Sequence, residues 1–148
     1  MDKILQAHYD TTLERAAEHD LVLAVQDSTS LNYTGLDSNE DLGRITGCDK
    51  DAVGLHMHDT MLFTPTGVPQ GLLDVQMWTR DWEGRDKTKM KQTPIEDKES
   101  YKWIRSYEAL CEAQRKHPGT RFISVGDREA DIWELFALAR DTEEAAGL

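Results

Sequence analysis

The sequence is poor in cysteine, in basic residues and in long apolar runs. Cys48 and Cys111 are the two cysteines among 148 residues. They make no disulfide framework and fit a reducing compartment, so a cytoplasmic protein is expected. No stretch approaches the ~20 apolar residues of a membrane-spanning helix. The first twenty residues, MDKILQAHYDTTLERAAEHD, hold five acidic side chains and lack the apolar segment of a secretory signal. No membrane partner is expected. Lys and Arg total 17 against 28 Asp and Glu, a net charge of −11. Such a surface repels phosphate backbones, which argues against a stand-alone nucleic-acid-binding module. Excess carboxylate either maintains solubility or supplies oxygen ligands to a cation.

The length suits one domain, and the 39% apolar and 30% charged shares are those of a folded globular chain. Helical spacing of Ile4, Leu5, His8, Thr12 and Ala16 predicts a helix from Lys3 to about Glu18. The run Leu21–Val25 predicts a buried strand. Residues 28–54 are polar and turn-rich, and an irregular connection is expected there. Residues 56–63 and 71–78 flank a Pro/Gly loop and predict a hairpin. Residues 79–94 form a charged loop. A helix is expected from Asp97 to Lys116, ended by Pro118-Gly119. A second buried strand follows at Arg121–Val125, then a helix from Glu129 to Arg140 and a fraying tail. If the last strand neighbours the first, the helical connection makes the pair parallel. The expected fold is α/β, with a mixed sheet and flanking helices.

Two strands end alike: LVLAVQD and RFISVGD. Side chains alternate along strands, and adjacent strands lie ~4.8 Å apart. Asp27 and Asp127 at matching ends of parallel neighbours could share one divalent cation, completed by waters and phosphate oxygens. A second cation beside the first would suit phosphodiester cleavage. The alternative is structural, because an Asp after a strand commonly caps a helix or turn.

The segment Val125-Gly126-Asp127-Arg128-Glu129-Ala130-Asp131-Ile132 resembles the DREADI motif of bacterial insertion-sequence-four (Tn-five-like) transposases. VQDSTSLNY (residues 25–33) resembles the first-carboxylate motif of that family. GLLDVQMWTR (71–80) and KESYKW (98–103) also follow its pattern. The resemblance runs from about His8 to Arg140. It implies a ribonuclease H-like core, here incomplete, with a DDE triad that holds two magnesium or manganese ions. Asp27 matches the first triad Asp and Asp127 the second. The third, a Glu on a later helix, has no match; Glu143 and Glu144 come too early. The resemblance therefore divides the chain into residues 1–20, the end of an N-terminal helical region, and 21–148, a partial catalytic core. The implied parent reaction is metal-dependent hydrolysis at transposon ends followed by strand transfer. Its partners would be double-stranded transposon-end DNA and a second copy of the enzyme, in a bacterial cytoplasm at the nucleoid. The alternative is a non-catalytic remnant of a transposase that interferes with the intact enzyme by contact.

By the same resemblance Arg128, Glu129 and Asp131 would orient Asp127, with Arg128 also able to touch a phosphate. Acidic residues in a first helical turn are equally explained by the helix dipole. Lys102, Trp82 and His58 are the candidate DNA contacts. His56 and His58 share a strand face, and a His-x-His pair can bind zinc, but no third or fourth ligand has a recognisable spacing. Trp103 and Trp133 are expected in the core, and Cys111 is expected buried and inert.

Overall fold

A computed structural model describes residues 2–35, 41–80 and 93–148. Its elements are α1 (Asp2–Ala16), β1 (Leu21–Asn32), β2 (Gly43–Arg44), β3 (Val53–Phe63), β4 (Pro69–Trp78), α2 (Tyr101–Lys116), β5 (Arg121–Val125) and α3 (Trp133–Asp141). The five strands form one mixed sheet. β3 pairs antiparallel with β1, β4 and the short β2, while β1 and β5 are parallel neighbours. The fold is thus mixed α/β with three helices.

The side of the sheet facing α2 changes character along its length. At one end Val22, Ala24, Leu62 and Phe122 are buried with Trp103, Tyr107 and Leu110 of α2 in the apolar core. Further along the strands, the same side carries Gln26, His56, His58, Thr60 and Gln76, all buried. These polar groups are tied across elements: Gln76 Nε2 donates to Ser106 Oγ and the Lys102 carbonyl at 3.0 Å each, and Ser106 Oγ donates to Asp74 at 3.1 Å. Buried polar side chains need such partners, because an unmatched one loses its hydration without return. α1 packs on β4 at Gly71, where a Cβ would collide with Thr12 and Arg15; Arg15 Nε donates to the Gln70 carbonyl at 2.7 Å.

Several boundaries differ from expectation. β1 does not stop after Val25 but runs to Asn32, since β3 continues beside it as far as Asn32↔Gly54. Ladder pairing there overrides the turn propensity of Ser28-Thr29-Ser30. Val53 and Gly54, also assigned to the connection, belong to β3, as does Leu55. Ile95–Asp97 is a separate 3-10 turn, so α2 starts at Tyr101. Arg128–Ala130 is likewise a 3-10 turn, and extended backbone at Ile132 precedes α3. This break turns Trp133 outward: it is 72% exposed, against the expectation of a core residue, and Leu135 is the buried residue of α3. Trp103 and Cys111 are buried as expected.

The tail does not fray. Ala146 is buried and its carbonyl accepts from Tyr107 Oη at 2.7 Å. Gly147 makes a parallel bridge to Ile123: Ser124 N donates to the Gly147 carbonyl and Gly147 N to the Phe122 carbonyl, both at 2.8 Å. The outer edge of β5 is therefore partly covered by the chain's own backbone. No helix among the described residues is long and apolar enough to cross a membrane.

Candidate functional site

The last parallel pair between β1 and β5 is Val25↔Val125. Asp27 and Asp127 each come two residues later. Asp27 is still in strand, whereas Asp127 caps the 3-10 turn, its Oδ1 accepting from Glu129 N at 2.8 Å. Asp27 Oδ1 accepts from Ser28 N at 2.7 Å. The second oxygen of each carboxylate makes no hydrogen bond among the described residues. Both side chains are exposed, and both line one cleft of about 340 Å³.

The far wall of that cleft comes from β3, β4 and α2. Its lining includes His56, Trp78, Arg80, Glu99, Lys102 and Trp103. Arg80 and Glu99 form a fork, with Arg80 Nε 3.0 Å from both carboxylate oxygens. Lys102, a candidate DNA contact, is not a solvated helix lysine. Its side chain is 9% exposed, its Nζ lies 5.6 Å from the ring centres of both Trp78 and Trp103, and Glu129 Oε2 is 3.7 Å away. Two indole faces and one carboxylate thus hold a positive charge beside the two aspartates.

Two Ser–His pairs join β1 to β3 across the antiparallel ladder, and Ser28, Ser30 and His56 of these line the cleft. Ser28 Oγ is 2.8 Å from His58 Nδ1, and Ser30 Oγ is 3.0 Å from His56 Nδ1. His56 stacks on Trp78, and His58 meets Trp103 edge-on at 4.5 Å. His58 has no exposed surface, so it is a core group and not a surface DNA contact. Burial, reinforced by the Lys102 charge, lowers its pKa from 6.5 to about 4, against opposing pulls from Asp74 and Asp27. Its imidazole is therefore neutral near pH 7.

Of the remaining sequence candidates, Glu129 lines the cleft through its contact with Lys102. Arg128 is exposed and does not line it; Asp131 lines a second groove, to which Gly126 and Asp127 also contribute. Trp82 lies outside the described residues. Sequence reasoning missed Asp59, which sits directly opposite Asp27 in the antiparallel register. Burial and the Asp27 charge raise the Asp59 pKa above its ordinary value. It also missed the Arg80–Glu99 fork and the role of Trp78. The strand pattern around HMHDT could have flagged Asp59, but only with the β1–β3 register in hand.

Among the described residues, no group of three or more His, Cys, Asp or Glu side chains is arranged to hold a metal ion. Two carboxylates, each with an oxygen unengaged, nonetheless suit one hard cation that keeps several waters. The other carboxylates lining the cleft are turned to cations of the protein: Glu99 to Arg80 and Glu129 to Lys102. The donor set fits one ion and not two. No protein-family model matches the chain, and no curated protein matches it significantly.

Proposed function

We propose that the chain is a catalytic-core portion of an insertion-sequence-four-type transposase, built on a ribonuclease H-like sheet, whose parent reaction is phosphodiester hydrolysis and strand transfer at transposon DNA ends. The observation that carries this reading is the placing of Asp27, within β1, and Asp127, just after β5, each two residues beyond the last parallel pair of these neighbouring strands and both lining one cleft. Strand order supports the fold assignment: an antiparallel β4–β3–β1 run followed by β5 parallel to β1. The DREADI and QDSTSL resemblances fall on the two aspartates themselves.

In this reading Asp27 and Asp127 hold magnesium or manganese. The ion, when bound, activates water and stabilises the leaving oxygen of the phosphodiester. Lys102 presents its ammonium to a phosphate oxygen, with Trp78 and Trp103 fixing its direction. Glu129 keeps that ammonium near the cleft, and its backbone N–H fixes the Asp127 carboxylate. Water, and later the freed 3′ hydroxyl of the DNA, are the nucleophiles, so the protein forms no covalent bond with substrate.

The test is manganese binding followed by water-proton relaxation. Asp27→Asn and Asp127→Asn should each weaken binding at least about tenfold, which is ~1.4 kcal/mol, while His58→Gln, if it folds, leaves it unchanged. Retained binding in both Asn variants overturns the reading. A zinc site on His56 and His58 would show the opposite pattern.

A second reading, binding without turnover in the manner of a non-catalytic remnant, is favoured by the donor set that fits a single ion. Single-turnover nicking of supercoiled DNA with manganese separates the two. Cleavage lost in Asp127→Asn supports the catalytic reading, and no cleavage above that variant supports the remnant.

A further inference from the structure

A second concavity of about 310 Å³ is lined by Gly126 and Asp127 among others. The backbone at Gly126 is tightly packed: a Cβ there would come 2.8 Å from Ala130 Cβ and 3.1 Å from the Trp103 ring. Asp127 borders both this concavity and the cleft. The groove walls are apolar, from Val125, Leu135, Phe136 and Leu148. Three of these are unusually open for their type, with Val125 39%, Phe136 47% and Leu148 48% exposed. Apolar side chains gathered around a concavity are a common mark of a binding site.

The polar side chains of the groove are Gln26, Ser124, Asp127 and Asp131. Gln26 lines it and is 4% exposed; its Nε2 donates to Ser124 Oγ at 2.9 Å, while its buried Oε1 has no hydrogen-bond partner among the described residues. A buried acceptor left unmatched costs the free energy of its lost hydration, which a donor entering the groove would restore. At the rim are the carboxylates of Asp127 and Asp131. Asp131 forms no ion pair or side-chain hydrogen bond among the described residues. An apolar trough with a starved acceptor and two rim anions complements an apolar body that carries a positive N–H donor.

We propose that this groove is a binding site for a small apolar organic cation, an arylalkyl ammonium in chemical class. Its body lies between Leu135, Phe136 and Leu148, and its ammonium faces Gln26 Oε1 and the two rim carboxylates. The site shares Asp127 with the cation site proposed in the cleft, so binding is measured without metal or DNA, where the two readings fail separately.

The probe is 2-phenylethylammonium, titrated into the 148-residue chain in metal-free and DNA-free buffer and read by methyl NMR. The expected result is saturable shifts at Val125, Leu135 and Leu148. Gln26→Met, close in volume and without the acceptor, should weaken binding about tenfold, the effect of one hydrogen bond. Asp131→Asn, on an exposed residue whose replacement leaves the fold intact, should weaken it about threefold, as a rim charge does. The neutral 2-phenylethanol should bind more weakly than the ammonium. Absence of saturable shifts overturns the proposal. So does 3-phenylpropionate binding as tightly as the ammonium, or unchanged affinity in Asp131→Asn. If Gln26→Met folds and binds equally well, the acceptor is not part of the site and the proposal also fails.

Discussion

His58 ties the local chemistry of the sheet to the stability of the molecule. Its pKa is about 4 when folded, against an ordinary 6.5. The unfolded chain therefore takes up a proton between those values and the folded chain does not. Stability is full above pH 6.5, falls as pH drops toward 4, and then levels. At ~1.36 kcal/mol per unit, the loss across that window is roughly 3 kcal/mol. Urea midpoints in metal-free buffer at pH 7 and pH 5 should show it, and His58→Gln should flatten the slope. A native His58 imidazole titrating near 6.5 by NMR would remove the basis of this expectation. Asp59 works with the opposite sign. Its folded pKa is raised by burial and by Asp27, so it weakens the fold once ionised. Asp59→Asn should therefore stabilise the chain at pH 7 by about 1 kcal/mol, with the gain vanishing as pH falls below the ordinary carboxyl range. A lower melting temperature for Asp59→Asn at pH 7 would mean that the carboxylate has a partner which the pair with Asp27 does not account for. At this scale the aspartates were legible because each follows its own apolar strand. The burial of Lys102 and the Asp27–Asp59 juxtaposition were not, since both depend on which distant segments meet.

Among the elements, β1 and β3 carry the site, and a single glycine sets how close they approach. Gly54 pairs with Asn32 on one side and Gly43 on the other. A Cβ there would run into the Leu31 carbonyl oxygen and the Ile45 side chain. Gly54→Ala is expected to cost about 3 kcal/mol or more, within the range of mutations that force a backbone to move. Hydrogen exchange should show the damage concentrated in residues 28–32 and 53–56, with β5 protected; uniform loss of protection would point to global unfolding instead. The hydrophobic runs located β1, β4, β5 and the buried face of α2, because apolar periodicity is a local property. They did not reveal that the polar stretch Gln26–Asn32 continues as strand. Its reason to be extended is its neighbour β3. The start of α3 was misread for a related reason: the DREADI segment has helical composition, but Asp127 caps a short 3-10 turn, and the chain extends again before Trp133.

At the scale of the whole molecule, a charge of −11 works against the phosphate backbone that the cleft is proposed to meet. Affinity for duplex DNA should be weak at physiological salt, and sequence-specific end cleavage by this chain alone is not expected. A filter-binding titration from low to high salt checks it. The same scale decides how the sheet avoids aggregation. The outer edge of β5 is apolar and without proline, the type of edge that pairs with other chains when bare. Here residues 145–148 cover part of it: Ala146 is buried beneath Tyr107, Gly147 bridges Ile123, and Arg121 Nη1 donates to the Ala145 carbonyl at 3.2 Å. Trp133 and Phe136 of α3 are exposed, Trp133 against the expectation of a core residue. Deleting residues 145–148 should remove about 2–4 kcal/mol, from the lost burial of one small side chain and from buried hydrogen-bonding groups left unmatched, the Tyr107 hydroxyl among them. It should also free the Ser124 N–H and the Phe122 C=O at the β5 edge. Sedimentation velocity of the shortened chain should then show concentration-dependent association beyond that of the 148-residue chain, and Arg121→Ala should fall between the two. If the shortened chain melts at the same temperature and sediments identically, the tail does not protect the edge, and the solubility of the fold rests on its negative charge instead.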